Sequence, residues 1–294
     1  MILRKLAFAT MGWLTGIFVL VTNALAQDGV STEWQIGLQT PATPLMQEMQ
    51  DFHTAVFWLI TVISIFVLAL IAYIVVKFNK EANPVPSKTT HNAILEVSWT
   101  VIPILILVLM AIPSFKLHYK ADVVQTLESV NELYKFTDKS GNPILIEDEL
   151  TIKASGFQWA WMYDYPDHGV QGMDAFCAAG PATYCLAEAG PDDNRLLETS
   201  NRVVVPVNTL VRMQITAEDV IHNWTVPAFG VKIDAVPGRM HETWFVATRE
   251  GTFYGQCSEL CGTYHGFMPI AVDVVSMEEF ELRIEELADM FPAF

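Results

Sequence analysis

The twelve-residue stretch CSELCGTYHGFM, from Cys257 to Met268, decides both the fold and the chemistry that this sequence predicts. It lies between two strand-like segments and holds two cysteines, one histidine and one methionine with the spacing C-x3-C-x3-H-x2-M. Thiolate, imidazole and thioether ligands together select copper among the common metals, whereas zinc sites rarely use a thioether. A disulfide between Cys257 and Cys261 is the alternative in an oxidising compartment, but His265 and Met268 favour a metal site.

A second imidazole comes from upstream, where His222 follows a predicted strand and precedes Asn223 and Trp224. A single blue-copper site needs one cysteine, two histidines and a weak axial methionine. The sequence offers one cysteine more than that. The ligand set therefore fits two coppers that share bridging thiolates, an arrangement suited to electron transfer.

Alternation of apolar and polar residues on both sides of this stretch predicts a β-domain. Residues 211–216 alternate in this way, and clusters of Pro, Gly and Asn separate the strand-like segments at the spacing of a β-sandwich or barrel. The predicted strands are Ile152–Tyr165, Val203–Val207, 211–216, Thr243–Thr248, Thr252–Gln256 and Ile270–Val275.

The end of the chain predicts one amphipathic helix. Ser276 and Glu279 have the spacing of a capping box, in which each residue satisfies a free backbone N–H of the other. Phe280, Ile284 and Leu287 then share one face of the helix, which we expect to pack against the strands.

A segment rich in Ala, Gly and Pro, 178–191, interrupts the strand pattern and predicts a surface loop. Cys177 and Cys185 lie at its start and within it, with no His or Met between them. In an exported domain we expect these two cysteines to form a disulfide. Closing a loop of about nine residues stabilises a fold by ~2–3 kcal/mol in the chain-entropy model.

Three apolar stretches precede the β-domain. Residues 1–26 have a basic start, a short apolar middle and an Ala-Leu-Ala end, which predicts a cleavable signal peptide, with a third membrane helix as the alternative. Residues 27–54 follow as an extracytoplasmic segment. Residues 55–76 and 97–115 carry no charge and are long enough to cross a bilayer core, so they predict a transmembrane hairpin.

The placement of lysines gives the orientation of this hairpin. The connecting loop, 77–96, holds Lys77, Lys80 and Lys88, whereas residues 27–54 hold no Lys or Arg. The positive-inside rule places the loop in the cytoplasm and both ends outside. Residues 116–294 then form one domain on the outer face of the membrane.

The charge of the chain bears on its partners. The net charge is −16, and residues 116–294 contain 12 Lys and Arg against 27 Asp and Glu. A chain without surplus positive charge is a poor match for phosphates, so we expect no nucleic-acid partner. The acidic domain is either a solvated surface or a surface that attracts a basic partner.

Glu96–Pro113, Gly156–Tyr165 and Glu218–Met268 together carry a family resemblance that covers nearly the whole chain. They resemble subunit II of a bacterial aa3-type cytochrome c oxidase. The resemblance implies a two-helix transmembrane hairpin followed by an all-β cupredoxin-like Greek-key barrel in the periplasm. It also implies a binuclear CuA centre that takes electrons from cytochrome c and passes them to haem a of subunit I. Reduction of O2 to water and proton translocation follow in the complex, which also contains subunit III.

The resemblance also implies roles for individual residues. Glu259 would give its backbone carbonyl to copper and its side chain to a Mg2+ or Mn2+ ion shared with subunit I. Trp159 would receive the electron, and Glu96 would lie at the entrance of the K proton pathway of subunit I. The implied copper ligands are His222, Cys257, Glu259, Cys261, His265 and Met268, and the implied acids for cytochrome c docking are Asp164, Glu218 and Asp219.

The sequence departs from the family pattern beside Trp159. Phe157 stands where many relatives have histidine, and Ala160 stands where they have an aromatic residue. These departures make the docking surface less defined, and Trp161 becomes the second candidate for the residue that receives the electron.

Two other functions compete with this interpretation. Quinol oxidase subunit II shares the hairpin and barrel but lacks the copper ligands that this chain has. A membrane-anchored copper carrier needs accessible ligands, whereas Glu259 lies between the two cysteines of a closed set. The sequence contains no C-x-x-C-H motif for haem attachment, so the resemblance implies a separate electron donor.

Overall fold

The computed structural model of the protein describes residues 30, 34–138, 140–177 and 194–293. The predicted signal peptide, residues 1–26, lies outside this range, as does the whole insert at 178–191. Cys177 is disulfide-bonded, and Cys185, its predicted partner, lies outside the described residues.

Two long helices form the membrane part: α1 (Pro44–Lys77) and α2 (Ala93–Asp122). Both are long and apolar enough to cross a membrane. They extend beyond the apolar spans 55–76 and 97–115, because side-chain caps outside those spans begin them. The Thr43 side chain caps α1, and the Asn92 side chain accepts a hydrogen bond from the Leu95 N–H at 3.1 Å in α2.

The rest of the chain is a β-domain with two mixed sheets, which confirms the predicted fold class. The larger sheet has the order β10-β7-β3-β4-β5, the smaller one has the order β11-β12-β6, and β8-β9 and β1-β2 form separate hairpins. Strands β3 and β7 pair in parallel, as do β6 and β12. The strands are β1 (Phe136–Thr137), β2 (Pro143–Ile144), β3 (Glu149–Phe157), β4 (Ala160–Tyr165), β5 (Val170–Ala175), β6 (Val203–Pro206), β7 (Leu210–Ala217), β8 (His222–Val226), β9 (Val231–Ala235), β10 (His241–Val246), β11 (Gly251–Gln256) and β12 (Pro269–Val275).

The prediction of one strand over Ile152–Tyr165 is wrong, because β3 and β4 pair as an antiparallel hairpin that turns at Gln158 and Trp159. Phe157 pairs with Ala160 at the end of this ladder. The backbone N–H of Gln158 donates to the Asp219 carboxylate at 2.7 Å instead of to a strand. The turn is therefore held by a side chain distant in sequence, which strand periodicity does not report.

Two further helices flank the β-domain: α3 (Leu127–Leu133) and α4 (Met277–Met290). The predicted terminal helix is confirmed in α4, whose N-cap is Ser276 and whose buried face is Phe280, Ile284 and Leu287. The Ser276 hydroxyl accepts from the Glu279 N–H at 3.2 Å. The Glu279 carboxylate lies 2.6 Å from Arg283, so it pairs along the helix.

The chain before α1 fastens the β-domain to the hairpin. The Ala42 N–H donates to Ala228 O at 2.8 Å, and the Thr248 N–H donates to Ala42 O at 2.9 Å. On α2, the Lys120 ammonium contacts the Glu48 carboxylate of α1 at 2.5 Å. The Ala42 bonds therefore join the segment before α1 to the domain that carries the predicted metal ligands, and the Lys120–Glu48 pair joins the two helices to each other.

Candidate metal centre

Pairing of β11 with β12 closes the loop that carries most of the predicted ligands. Gln256 pairs with Pro269 at the end of this ladder, and the Cys257 N–H donates to Met268 O at 3.3 Å. Inside the loop, a short 3-10 turn spans His265–Phe267. The two ends of the motif therefore meet at one point, and Cys257, Cys261 and Met268 are buried there.

The two thiols and two imidazoles of the prediction converge in this loop. The Cys257 and Cys261 sulfurs lie 3.9 Å apart, and both cysteines are free. Because a disulfide bond is about 2.05 Å long, the structure excludes the disulfide alternative. His222 Nδ1 lies 4.0 Å from the Cys257 sulfur, and His265 Nδ1 lies 3.5 Å from the Cys261 sulfur. Each sulfur thus has its own imidazole.

Each sulfur also has one weaker donor close to it. The Met268 thioether is 3.4 Å from the Cys261 sulfur, and the Glu259 backbone oxygen is 3.4 Å from the Cys257 sulfur. Met268 and both cysteines are buried, and His222 is fully buried. This collection of soft sulfur, imidazole and carbonyl donors fits copper ions.

Burial and hydrogen bonding shift the pKa values of the two thiols in opposite directions. Burial opposes ionisation of Cys257, but its hydrogen bond with His222 and nearby backbone groups outweigh burial and lower the pKa of this thiol. Burial raises the pKa of Cys261 to about 12, and the neighbouring Cys257 charge adds to the rise. A bound cation removes this restriction, because metal coordination deprotonates thiols.

Two glycines allow strands to approach the site closely. A Cβ at Gly156 would lie 3.0 Å from the ring carbons of His222, and a Cβ at Gly255 would lie 1.8 Å from Thr225 O. Gly156 therefore leaves the space that the imidazole occupies, and Gly255 lets β11 lie against β8. Sequence reasoning placed both glycines in strand-like segments without assigning them a role.

The Asp219 carboxylate lies directly behind His222. Its Oδ1 is 2.9 Å from His222 Nε2, and its Oδ2 accepts the Gln158 N–H at 2.7 Å. Burial works against ionisation of Asp219, but hydrogen bonds from His222, Val220 and Gln158 outweigh it and lower the pKa of the carboxyl. For His222, burial is outweighed by hydrogen bonds to Cys257 and Asp219, so the pKa of the imidazole is raised.

Trp159 lies against the loop that holds the cysteines. Its indole N–H donates to Cys261 O at 3.2 Å, and the side-chain amide of Gln158 donates to the same oxygen at 2.7 Å. The Tyr264 ring meets the Trp159 ring edge-on with centroids 5.0 Å apart. Trp159 is partly exposed, so it connects the surface to the backbone of one copper-ligand candidate. Sequence reasoning missed Gln158 and Tyr264, whose only signal was their position beside Trp159 and His265.

The two residues after Trp159 are buried, unlike Gln158 before it. Ala160 and Trp161 are fully buried, and the Trp161 ring lies 6.0 Å from the His222 ring. Phe157 packs edge-on against Phe176 at 5.9 Å. Because Trp161 has no exposed surface, it cannot touch a docked protein, and Trp159 is the better candidate of the two.

The predicted docking acids have different surroundings. Asp164 lies 3.2 Å from the Lys153 ammonium and accepts the Gly172 N–H at 2.8 Å. Glu218 is exposed. Asp219 is engaged with His222, so its carboxylate faces the metal centre as well as the surface.

The remaining predicted residues lie apart from this cluster. Glu96 sits in the first turn of α2, where its carboxylate accepts the Asn92 N–H at 3.1 Å and lies 3.7 Å from His91 Nδ1. The Glu259 side chain is exposed at the loop surface. Among the described residues, the one group of His, Cys, Asp and Glu side chains whose ligand atoms lie close enough to hold an ion is His222, Cys257 and Cys261.

Comparisons with known proteins agree with this geometry. Residues 150–275 match the family model "Cytochrome C oxidase subunit II, periplasmic domain", and residues 31–117 match "Cytochrome C oxidase subunit II, transmembrane domain". The chain is 45% identical over 248 residues to a probable cytochrome c oxidase subunit 2 of Rickettsia bellii, covering 84% of this chain and 82% of that protein. It is 41% identical over 249 residues to cytochrome c oxidase subunit 2 of Triticum aestivum, covering 84% and 87%.

A solved structure is also similar to half of the chain. The periplasmic domain of subunit II of cytochrome oxidase of Bradyrhizobium japonicum is 49% identical and covers 50% of this chain and 99% of its own, with a TM-score of 0.44. Both family models match, and relatives sharing 40% identity or more extend over most of the chain. The chain therefore belongs to the cytochrome c oxidase subunit II family, with two apolar helices and a cupredoxin-like domain.

Proposed function

We propose that this chain receives single electrons from cytochrome c through a binuclear CuA centre and passes them to haem a of subunit I. The observation that carries the proposal is the pair of unbonded cysteine sulfurs, 3.9 Å apart, each with its own imidazole nitrogen. When bound, a copper pair supplies one-electron redox chemistry. The complex then reduces O2 to water and couples this to proton translocation.

The six predicted ligands each have a task in holding such a pair. Cys257 and Cys261 would bridge two ions, because both thiols are free and face each other. The imidazoles, the thioether and the Glu259 carbonyl lie around the sulfurs and would complete the two ligand sets. The burial of the sulfurs excludes water and keeps the ligands from rearranging, which suits repeated one-electron transfer. The ligands are His222, Cys257, Glu259, Cys261, His265 and Met268.

Trp159 is the residue proposed to meet the donor. It is partly exposed, and its indole N–H is bonded to the carbonyl of Cys261. An electron that arrives at this ring has a route of one hydrogen bond to the backbone of a copper ligand. Asp164, Glu218 and Asp219 add negative charge near this surface and would attract a basic cytochrome c.

Further roles concern partners within the complex. The exposed Glu259 carboxylate is an oxygen ligand of the type that Mg2+ and Mn2+ prefer, and subunit I would supply the other ligands. Glu96, at the start of α2, would lie at the entrance of the K pathway of subunit I. The complex would also contain subunit III and surround the hairpin with lipid.

The location follows from the hairpin. Both ends of the α1–α2 hairpin would face the periplasm and its lysine-bearing loop would face the cytoplasm of a bacterial inner membrane. Residues 1–26 would direct export and be removed. The β-domain would then lie where a periplasmic electron donor can reach it.

The test is a copper count and an electron paramagnetic resonance spectrum of the full-length chain in detergent. We expect two coppers per chain and the hyperfine pattern of one electron shared by both nuclei. One copper per chain with a blue-copper spectrum would overturn the proposal. A readily exchangeable copper, together with failure to co-purify a haem-bearing partner, would favour the copper carrier instead.

A further inference from the structure

We propose that Asp219 is a positioning residue whose single carboxylate fixes both the copper ligand His222 and the turn that carries Trp159. The inference rests on the proposed copper function, because it concerns how a ligand of that site is oriented. The family resemblance assigned Asp219 to the docking surface. In the structure its carboxylate contacts the buried His222 side chain and the Gln158 backbone.

One oxygen of the Asp219 carboxylate bonds to His222. Asp219 Oδ1 lies 2.9 Å from His222 Nε2, while His222 Nδ1 faces the Cys257 sulfur at 4.0 Å. A carboxylate can only accept a hydrogen bond, so the proton of the neutral imidazole sits on Nε2 and the lone pair on Nδ1 faces the site. Carboxylates that hold metal-ligating histidines in this way set the tautomer and raise the basicity of the ligand.

The other oxygen of the Asp219 carboxylate bonds to the β3–β4 turn. Asp219 Oδ2 accepts the backbone N–H of Gln158 at 2.7 Å. The side-chain amide of Gln158 donates to Cys261 O, also at 2.7 Å. Trp159 donates to that same oxygen. The turn is thus fixed at one end by Asp219 and at the other end by the cysteine loop.

Position and burial make this contact more than a surface ion pair. The His222 side chain is fully buried, whereas the Asp219 side chain is 35% exposed. The imidazole packs beside the Trp161 ring and against Gly156, so its position is confined by packing. Asp219 provides the hydrogen bond to its Nε2. Removing the acceptor leaves a buried N–H without its partner, which is costly.

The neighbouring residue offers a matched control. Glu218 carries the same charge one position earlier and is exposed, and its backbone N–H donates to Gly156 O at 2.9 Å. Glu218→Gln removes a negative charge from the same surface and leaves both Asp219 contacts in place. A role through charge alone therefore predicts equal effects of the two variants, whereas a positioning role predicts different ones.

The experiment compares copper-loaded full-length native protein, Asp219→Asn, Asp219→Glu and Glu218→Gln in detergent. In Asp219→Asn we expect copper to dissociate about 10- to 100-fold faster, the range for groups that orient metal-bound histidines. The midpoint potential should rise, because a less basic imidazole stabilises the oxidised centre less. An asparagine amide offers one accepting oxygen for the two N–H partners of Asp219, so at least one of the two contacts is lost. Proton NMR of the copper-loaded protein should therefore show the His222 Nε2 proton or the Gln158 backbone N–H exchanging faster with solvent.

Glu218→Gln should leave both exchange rates unchanged, and Asp219→Glu should retain slow exchange at His222. Equal exchange, potential and copper dissociation in Asp219→Asn and Glu218→Gln would overturn the proposal, with the copper centre itself intact. If Asp219→Asn does not fold, fast exchange at His222 in Asp219→Glu, with its copper bound, would overturn it. A native chain that binds one copper would instead refute the proposed function, so the two failures are distinguishable.

Discussion

Substitution of Gly156 by alanine tests whether the space beside His222 is a requirement of the metal centre. The added Cβ would lie 3.0 Å from two ring carbons of His222. Ordinary van der Waals contact starts at about 3.5 Å, so the ring or the strand must move by a few tenths of an ångström. The ring has Asp219 on Nε2 and Trp161 on its face, so it cannot move without changing other contacts.

The expected effect on folding is small. Overpacking a well-packed core costs about 1–3 kcal/mol. Replacing glycine in a conformation that alanine tolerates returns about 0.4–1 kcal/mol through the unfolded chain. We therefore expect Gly156→Ala to lower the free energy of unfolding of the metal-free protein by about 0–2.6 kcal/mol, measured by urea unfolding.

The expected effect on copper is larger. Ligand distances in metal sites hold within about 0.2 Å. A shift of the His222 ring by a few tenths of an ångström, away from the added Cβ, would exceed this tolerance. We expect copper affinity to fall about 10- to 100-fold, by analogy with other changes that disturb metal-bound histidines, measured by competition with a chelator of known affinity. Gly266→Ala is the control, because its Cβ would meet nothing within 4 Å. Native copper affinity in Gly156→Ala would refute the packing argument.

Three further predictions concern electron transfer and copper binding. Trp159→Phe loses the N–H bond to Cys261 O and should slow electron transfer into the site at unchanged association, measured by stopped-flow reduction with cytochrome c; a native transfer rate would place the receiving residue elsewhere. Glu218→Gln should slow association at low salt and have little effect at high salt, because exposed charges are screened beyond ~8–10 Å, and Asp164→Asn should have a smaller effect, because the Asp164 side chain is 14% exposed and pairs with Lys153; salt-independent changes would contradict electrostatic steering. Cys257→Ser should abolish binding of the copper pair and leave the circular dichroism spectrum of the β-domain unchanged, whereas retention of two coppers would contradict a bridging thiolate.

Prediction from sequence succeeded where the relevant contacts are local. Cys257, Cys261, His265 and Met268 lie in one loop between two paired strands, so strand pairing and spacing alone bring their side chains together. The terminal helix was equally accessible, because its Ser276 cap and its apolar face both lie within the segment itself.

Prediction was poorer where a contact joins distant segments. The β3–β4 turn was expected to be continuous strand, and it forms because Gln158 N–H donates to Asp219, which lies on another segment of the chain. The family resemblance assigned Asp219 to the docking surface and gave no sign of its contacts with His222 and Gln158. Charge and spacing do not report which way a carboxylate faces.

The sequence by itself determined the types of candidate ligand, the two apolar helices and the strand-rich domain, because residue types, apolar length and alternation are properties of single segments. Only the tertiary structure decided the orientation of His222, the contact of Trp159 with Cys261 O, and the space left by Gly156. These depend on the packing of β3, β4 and β8 against the cysteine loop. The physical reason is that hydrogen bonds and van der Waals contacts act over a few ångströms, so a residue's role is fixed by which distant segment the fold brings within that range.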